Sequence, residues 1–161
     1  AVLIAVAVIF SIFHAVKGRS PEKTVDQLVT SLFKLDADGI IDTFPKEAVN
    51  KLKEEGNWDD EYDDLVSGIE SLAQSVGDYV DLEKMCSYKI TETKDATKDE
   101  IAEIQEDYDD EGIDVKIKDA KIITVELTIN IPIYGSETDS EDIVVIKIGN
   151  SWYIDPMNFS L

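Results

Sequence analysis

The chain has a single cysteine, Cys86, and a single histidine, His14. One thiol forms no intramolecular disulfide and no thiolate zinc site. A lone histidine inside an apolar segment removes most histidine-ligand sets and any serine–histidine–aspartate relay. Basic residues are also scarce, with 15 Lys and Arg against 35 Asp and Glu, a net charge of −20. No basic stripe could displace counterions from a phosphate backbone, which argues against a nucleic-acid partner. Proline and glycine number only 4 and 8 in 161 residues, and no stretch is rich enough in them to divide the chain after its N-terminal segment. What remains is 43% apolar, enough at this length to build a hydrophobic core and to argue against intrinsic disorder.

The N-terminal segment differs from everything after it. Residues 1–10 are unbroken apolar sequence, and the run continues to Val16 with only Ser11 and His14 interrupting it before Lys17, Gly18, Arg19 and Ser20. Sixteen helical residues span about 24 Å, short of the ~30 Å hydrocarbon core of a bilayer. The chain starts at Ala1 without an initiator methionine, so the expectation is a fragment or processed form in which upstream apolar residues complete a membrane helix. Residues 1–16 are therefore read as a partial transmembrane helix, 17–20 as a juxtamembrane linker and 21–161 as one soluble domain. A cleavable signal fits less well, because there is no basic leader, no small-x-small cleavage site and no following cysteine to take a lipid. A core helix would show a polar face. His14 is read as an interfacial side chain. Lys17 and Arg19 favour a cytoplasmic location for the domain.

Beyond the linker, Ser20-Pro21-Glu22 reads as an N-cap, a first-turn proline and an early acid, followed by Val25, Leu28, Val29, Leu32 and Phe33 at helical spacing. Asp36-Ala37-Asp38-Gly39 is expected to break this helix. Ile40, Ile41 and Phe44, then Pro45 with Ala48, Val49 and Leu52, suggest two short helices. Gly56-Asn57 closes them, and a longer helix is expected from near Trp58 to near Gly77, with Leu65, Val66, Ile69, Leu72, Ala73 and Val76 on one face. From Tyr79 the character turns to strand, with Cys86, Tyr88 and Ile90 alternating against Met85, Ser87, Lys89 and Thr91. Thr97 and Glu100 form a capping box ahead of Ile101, Ile104 and Tyr108, and Gly112 ends that helix. Alternation over 123–133 predicts a long antiparallel strand. A polar turn over 134–142, a strand over 143–148, a Gly149-Asn150 hairpin and a strand over 151–155 complete an α+β fold.

That order resembles the nuclear transport factor 2-like (cystatin-like) fold over roughly residues 20–161. The close Gly149-Asn150-Ser151-Trp152-Tyr153-Ile154-Asp155 is similar to the G-x-x-W-Y-I/V-D ending of small bacterial membrane-anchored or lipoprotein domains of this class. The stretch 35–45, with Phe44-Pro45, resembles their first helix-turn-helix. The resemblance implies a cone of helices wrapped by a curved antiparallel sheet, following a single transmembrane helix and lying outside the cytoplasm. It opposes the hint from Lys17 and Arg19, and the expectation follows the resemblance, because a large domain is translocated despite a few flanking charges. It transfers no functional residue.

Candidate chemistry is sparse. Asp36-x-Asp38-Gly39-x-Ile41-Asp42 resembles part of a calcium loop, but setting Gly39 at the sixth position puts Lys34 at the first ligand position and Pro45 where a bidentate glutamate belongs. Asp36, Asp38 and Asp42 are thus calcium candidates without a full ligand set, and no cofactor is expected. Acids also cluster at Asp59, Asp60, Glu61, Asp63 and Asp64, at Glu106, Asp107, Asp109, Asp110 and Glu111, and at Glu137, Asp139, Glu141 and Asp142, read as solvated faces and loop tips. Isomerases and dehydratases of the resembled fold use a pocket carboxylate with tyrosine or aspartate donors. Tyr79, Tyr88, Tyr108, Tyr134 and Tyr153 could supply such donors, although buried tyrosines are commonly core side chains. Trp152 is read as a core plug, Trp58 as a helix-start staple and Cys86 as inert. The expected function is a membrane-tethered extracytoplasmic binding or interaction domain, non-catalytic, with an envelope protein as partner. The alternatives are a small-ligand binder using the cone mouth, a calcium binder and an isomerase-like enzyme. A pilin-like subunit is disfavoured because Gly18 and Pro21 break the long helix it needs and no early acid is present.

Overall fold

The computed structural model describes residues 18–56, 59, 62–68, 71, 82–131 and 135–158. The expected membrane segment 1–16, Trp58, Tyr79, Tyr134 and most of the expected helix over 58–77 lie outside the described residues. Of that helix, 62–68 is helical and Leu65 packs against the core. Among the described residues no helix is long and apolar enough to cross a membrane.

Helix α1 (Pro21–Lys34) begins as its sequence dictates, with the Ser20 hydroxyl accepting a hydrogen bond from the Lys23 N–H at 3.2 Å. Val25, Leu28 and Val29 are buried, with Leu32 and Phe33 packed beside them. The break that follows is made by Leu35, at φ 55° in the left-handed region, and not by the Asp36–Gly39 turn expected from sequence. Asp36 instead caps a second helix, α2 (Ala37–Ile41), accepting from the Gly39 N–H at 3.0 Å. Gly39 thus sits inside a helix because α1 lies against it: a Cβ there would fall 2.4 Å from the Ser31 Oγ. Helix α3 (Lys46–Glu54) follows Pro45 and buries Ala48.

A helical turn, α4 (Leu82–Met85), occupies the start of the expected strand, which runs as β1 (Cys86–Asp95). Helix α5 (Lys98–Asp110) carries the capping box in both directions between Thr97 and Glu100. Strands β2 (Ile117–Ile131), β3 (Gly135–Ile148) and β4 (Ser151–Ile154) follow, with a 3₁₀ turn at Pro156–Asn158. The sheet is antiparallel throughout in the order β1-β2-β3-β4.

The two central strands also begin earlier than the sequence suggests. β2 begins six residues earlier than Ile123, hidden by a bulge between Ile117 and Asp119 that breaks the period of two. The expected polar turn over 134–142 is, from Gly135 onward, the first half of β3. On one face its polar side chains are matched across the ladder, with Thr124 donating to Asp142 at 2.6 Å, Thr128 meeting Thr138 at 3.0 Å and Ser136 donating to Asn130 at 2.7 Å.

The lower sheet is buried on both faces. On one, Ile123, Val125, Val145, Trp152 and Ile154 pack under α1, so Trp152 is the core plug its sequence suggested. On the other, Ala120 and Ile146 pack with Ile104 and Tyr108 of α5 and Ala48 of α3. β4 is tied into the helical layer along its outer edge, Trp152 N–H donating to the Arg19 carbonyl and Ile154 N–H to that of Thr43.

Candidate functional site

Above this double-sided core, the register sets three rows of side chains on the face beneath α1. Ile90, Val125 and Glu141 stand in the first, Tyr88, Leu127 and Asp139 in the second, and Cys86, Ile129 and Glu137 in the third. The β1 and β2 members form an apolar stripe, while the β3 members are a line of carboxylates along its border. Leu28, Val29, Leu32 and Phe33 of α1 face the stripe, and a groove of about 300 Å³ opens between them and Val125, Leu127 and Ile143. Its rim carries Glu141, Asp142 and Asn158. Ile129, at the outer end of the stripe, is 45% exposed, so the apolar floor continues past the helix into solvent.

The polar groups near this floor are mostly occupied. Tyr88 stacks edge-on against Phe33, ring centroids 6.0 Å apart, and donates its hydroxyl to Asp26 at 2.8 Å. Burial, then the neighbouring Asp26 carboxylate, push its ionisation up. Burial likewise pushes the Cys86 thiol up, away from the thiolate that reactive cysteines need. Glu141 is exposed at the rim.

A second constellation, absent from the sequence reading as a pair, joins Tyr108 to Asp155. Both are fully buried, and the phenol donates to the carboxylate at 3.1 Å. Asp155 also accepts from the Met157 N–H at 3.1 Å and the Asn158 amide at 2.7 Å, so it caps the 3₁₀ turn that ends β4. Burial raises its ionisation above the usual carboxylate range, outweighing the hydrogen bonds that favour the anion. The signal was present in the sequence as Asp155-Pro156, an N-cap followed by a first-turn proline.

The calcium candidates are dispersed into structural roles. Asp36 caps α2, Asp38 accepts from the Tyr62 hydroxyl at 3.3 Å, and Asp42 receives Arg19 at 3.4 Å and the Gln27 amide at 2.9 Å. Among the described residues no group of three or more His, Cys, Asp or Glu is arranged to hold a metal ion. Of the candidate donors, Tyr153 lies under the Arg19 guanidinium, 5.5 Å from the ring centroid, and Tyr108 is enclosed with Asp155. The acidic row on β3 could have been found from Glu137-x-Asp139-x-Glu141, whose period of two is that of a strand. No protein-family model, curated protein or solved structure matches the chain.

Proposed function

We propose that the chain is a non-catalytic binding domain whose ligand seat is the groove between α1 and the sheet. In the same reading residues 1–16 tether it to a membrane, the domain lies outside the cytoplasm and the fold is a nuclear transport factor 2-like cone. The observation that carries the ligand seat is the apolar floor of Leu28, Leu32, Phe33, Val125 and Leu127, left open over about 300 Å³ at the mouth between helix and sheet. That volume is at the lower end of sites that take small ligands or a few side chains. The helix α1 above the stripe supports the cone, whereas α5 on the opposite face departs from a cone with all its helices inside.

An isomerase-like reading finds less support. Among the described residues Asp155 is the one buried acid, and its oxygens are committed to Tyr108, Met157 and Asn158. Native mass spectrometry of the full chain, isolated from its own membrane fraction with and without added calcium, tests the reading. A reproducible organic adduct is the expected result. A bare chain, or a mass increase from calcium alone, contradicts it.

A further inference from the structure

We propose that the groove and the upper edge of β3 together take an extended, basic segment of a partner polypeptide, which adds to the sheet beside β3 in line with β4. This inference rests on the groove being the ligand seat.

The open edge begins where β4 stops. β4 pairs with β3 only from Val145 to Ile148, and the Asp155 N–H adds one last bond to the Val144 carbonyl at 3.0 Å. The chain then enters the 3₁₀ turn capped by Asp155, which pairs with no strand and brings Asn158 to the groove rim beside Asp142. Among the described residues no strand pairs with β3 on this side before Val144, although β3 runs on to Gly135. Because backbone groups alternate along a strand, the N–H and C=O of Asp142, Ser140 and Thr138 point the same way as those of Val144, outward. A polypeptide backbone has the repeat that matches them, as in other cases of strand addition.

The chemistry of the segment follows from what it would face. Side chains of an added strand that fall on the α1 side stand next to Glu137, Asp139 and Glu141, about 5 Å away across the ladder. Lysine or arginine suits those positions, and an apolar residue at the Glu141 end enters the groove at Ile143. A second copy of this chain is excluded as occupant, since its own edge carries the same acids and each chain has a net charge of −20. The same charge draws a basic segment in from solution.

The test uses the full 161-residue chain in non-ionic detergent and a synthetic peptide of about ten residues alternating lysine and valine. It is compared with a glutamate–valine peptide and with a lysine–valine peptide methylated on alternate backbone nitrogens. The lysine–valine peptide is expected to bind and to slow amide exchange of Thr138, Ser140 and Asp142 by about tenfold or more. Backbone methylation and the acidic sequence should abolish binding, and raising salt from about 0.05 M to about 0.5 M should weaken it at least about tenfold. Asp139→Lys with Glu141→Lys, both at exposed positions, should do the same, while Glu106→Lys on α5 leaves binding unchanged. Equal binding of the methylated peptide, protection elsewhere or no binding at all overturns the proposal. Decyltrimethylammonium serves as a groove probe in parallel. If it shifts the Leu32 and Leu127 methyl resonances while the peptide fails, strand addition falls and the groove reading stands. If both fail, both fall.

Discussion

The phenolic oxygen of Tyr108 lies 3.1 Å from a carboxylate oxygen of Asp155, and neither side chain is exposed to solvent. The contact joins the far end of α5 to the residue that closes β4, and no cation among the described residues shares it. A buried carboxylate without a counter-charge is held by donors alone, here one phenol, one backbone N–H and one amide.

Asp155→Ala leaves three donors without their acceptor and is expected to cost about 3 kcal/mol. Tyr108→Phe removes one donor of the three and should cost about 1.5 kcal/mol. Urea denaturation at unchanged m-value measures both. Equal losses would mean that the carboxylate does no more than answer the phenol.

The ionisation of Asp155 sets the sign of one pH effect. Its value in the folded state is raised, chiefly by burial, so the folded protein holds the proton more tightly than the unfolded chain. The stability it contributes is full below the unfolded value of about 3.9 and is lost as pH rises through the folded value. Asp155→Asn cannot ionise, and Asn158 can turn its amide oxygen toward the new donor. The stability of wild type relative to this variant should therefore fall with rising pH across that window. A difference that grows with pH would reverse the assigned direction.

Tyr108 acts in alkali by the same rule. Burial, and then the Asp155 charge, raise its folded value far above that of a free phenol. Its contribution is full below about pH 10 and declines above it as the unfolded chain ionises. Stability measured from pH 9 to 11 should fall less steeply in Tyr108→Phe than in wild type.

Gly39→Ala opposes helix propensity to packing. Propensity alone would favour alanine by about 1 kcal/mol, but the added methyl would collide with Ser31 Oγ and the Asp36 carboxylate. The expected net loss is about 1–2 kcal/mol. Ser31→Ala in the same chain should recover part of it, a coupling that a double-mutant cycle detects. Additive losses would place the conflict elsewhere.

At the start of α5, Thr97→Ala should destabilise by about 1 kcal/mol. The Thr97 N–H and hydroxyl hold Glu100 below the usual carboxylate range, so its contribution is full above the unfolded value of about 4.3 and is lost as pH falls through the folded one. NMR titration of the Glu100 carboxyl should show its value moving part of the way back up in the alanine variant, which loses the hydroxyl but keeps the backbone N–H that contributes most.

Much of the frame was legible because its signals are local. Ser20-Pro21, Thr97 with Glu100 and Gly149-Asn150 each specify a cap or a turn within four residues, and each is realised. The alternation of Cys86, Tyr88 and Ile90 placed β1. The stretch 135–142 did not read as strand, because acids are depleted in strands and the polar ladder that favours it pairs Asp142, Thr138 and Ser136 with Thr124, Thr128 and Asn130, partners set by register. Leu35 gave no warning of its left-handed backbone, since the glycine that usually marks such a cap is four residues later. The groove floor was visible as apolar positions, but its partnership with Leu28 and Phe33 depends on register and on tertiary packing, which no short motif carries. The Asp36, Asp38 and Asp42 pattern illustrates the converse, since spacing along the chain sent each carboxylate to a different partner.

If the groove between α1 and the sheet is where a ligand sits, filling it should displace that ligand. Leu127→Trp places an aromatic ring at a strand position on the groove floor, a residue type that strands accept. Wild type and variant, expressed in the source organism and isolated from its cells, are compared by native mass spectrometry, with circular dichroism confirming the same fold. The expected result is an adduct on wild type that is lost from the variant. An adduct retained equally by both would contradict the groove as its seat.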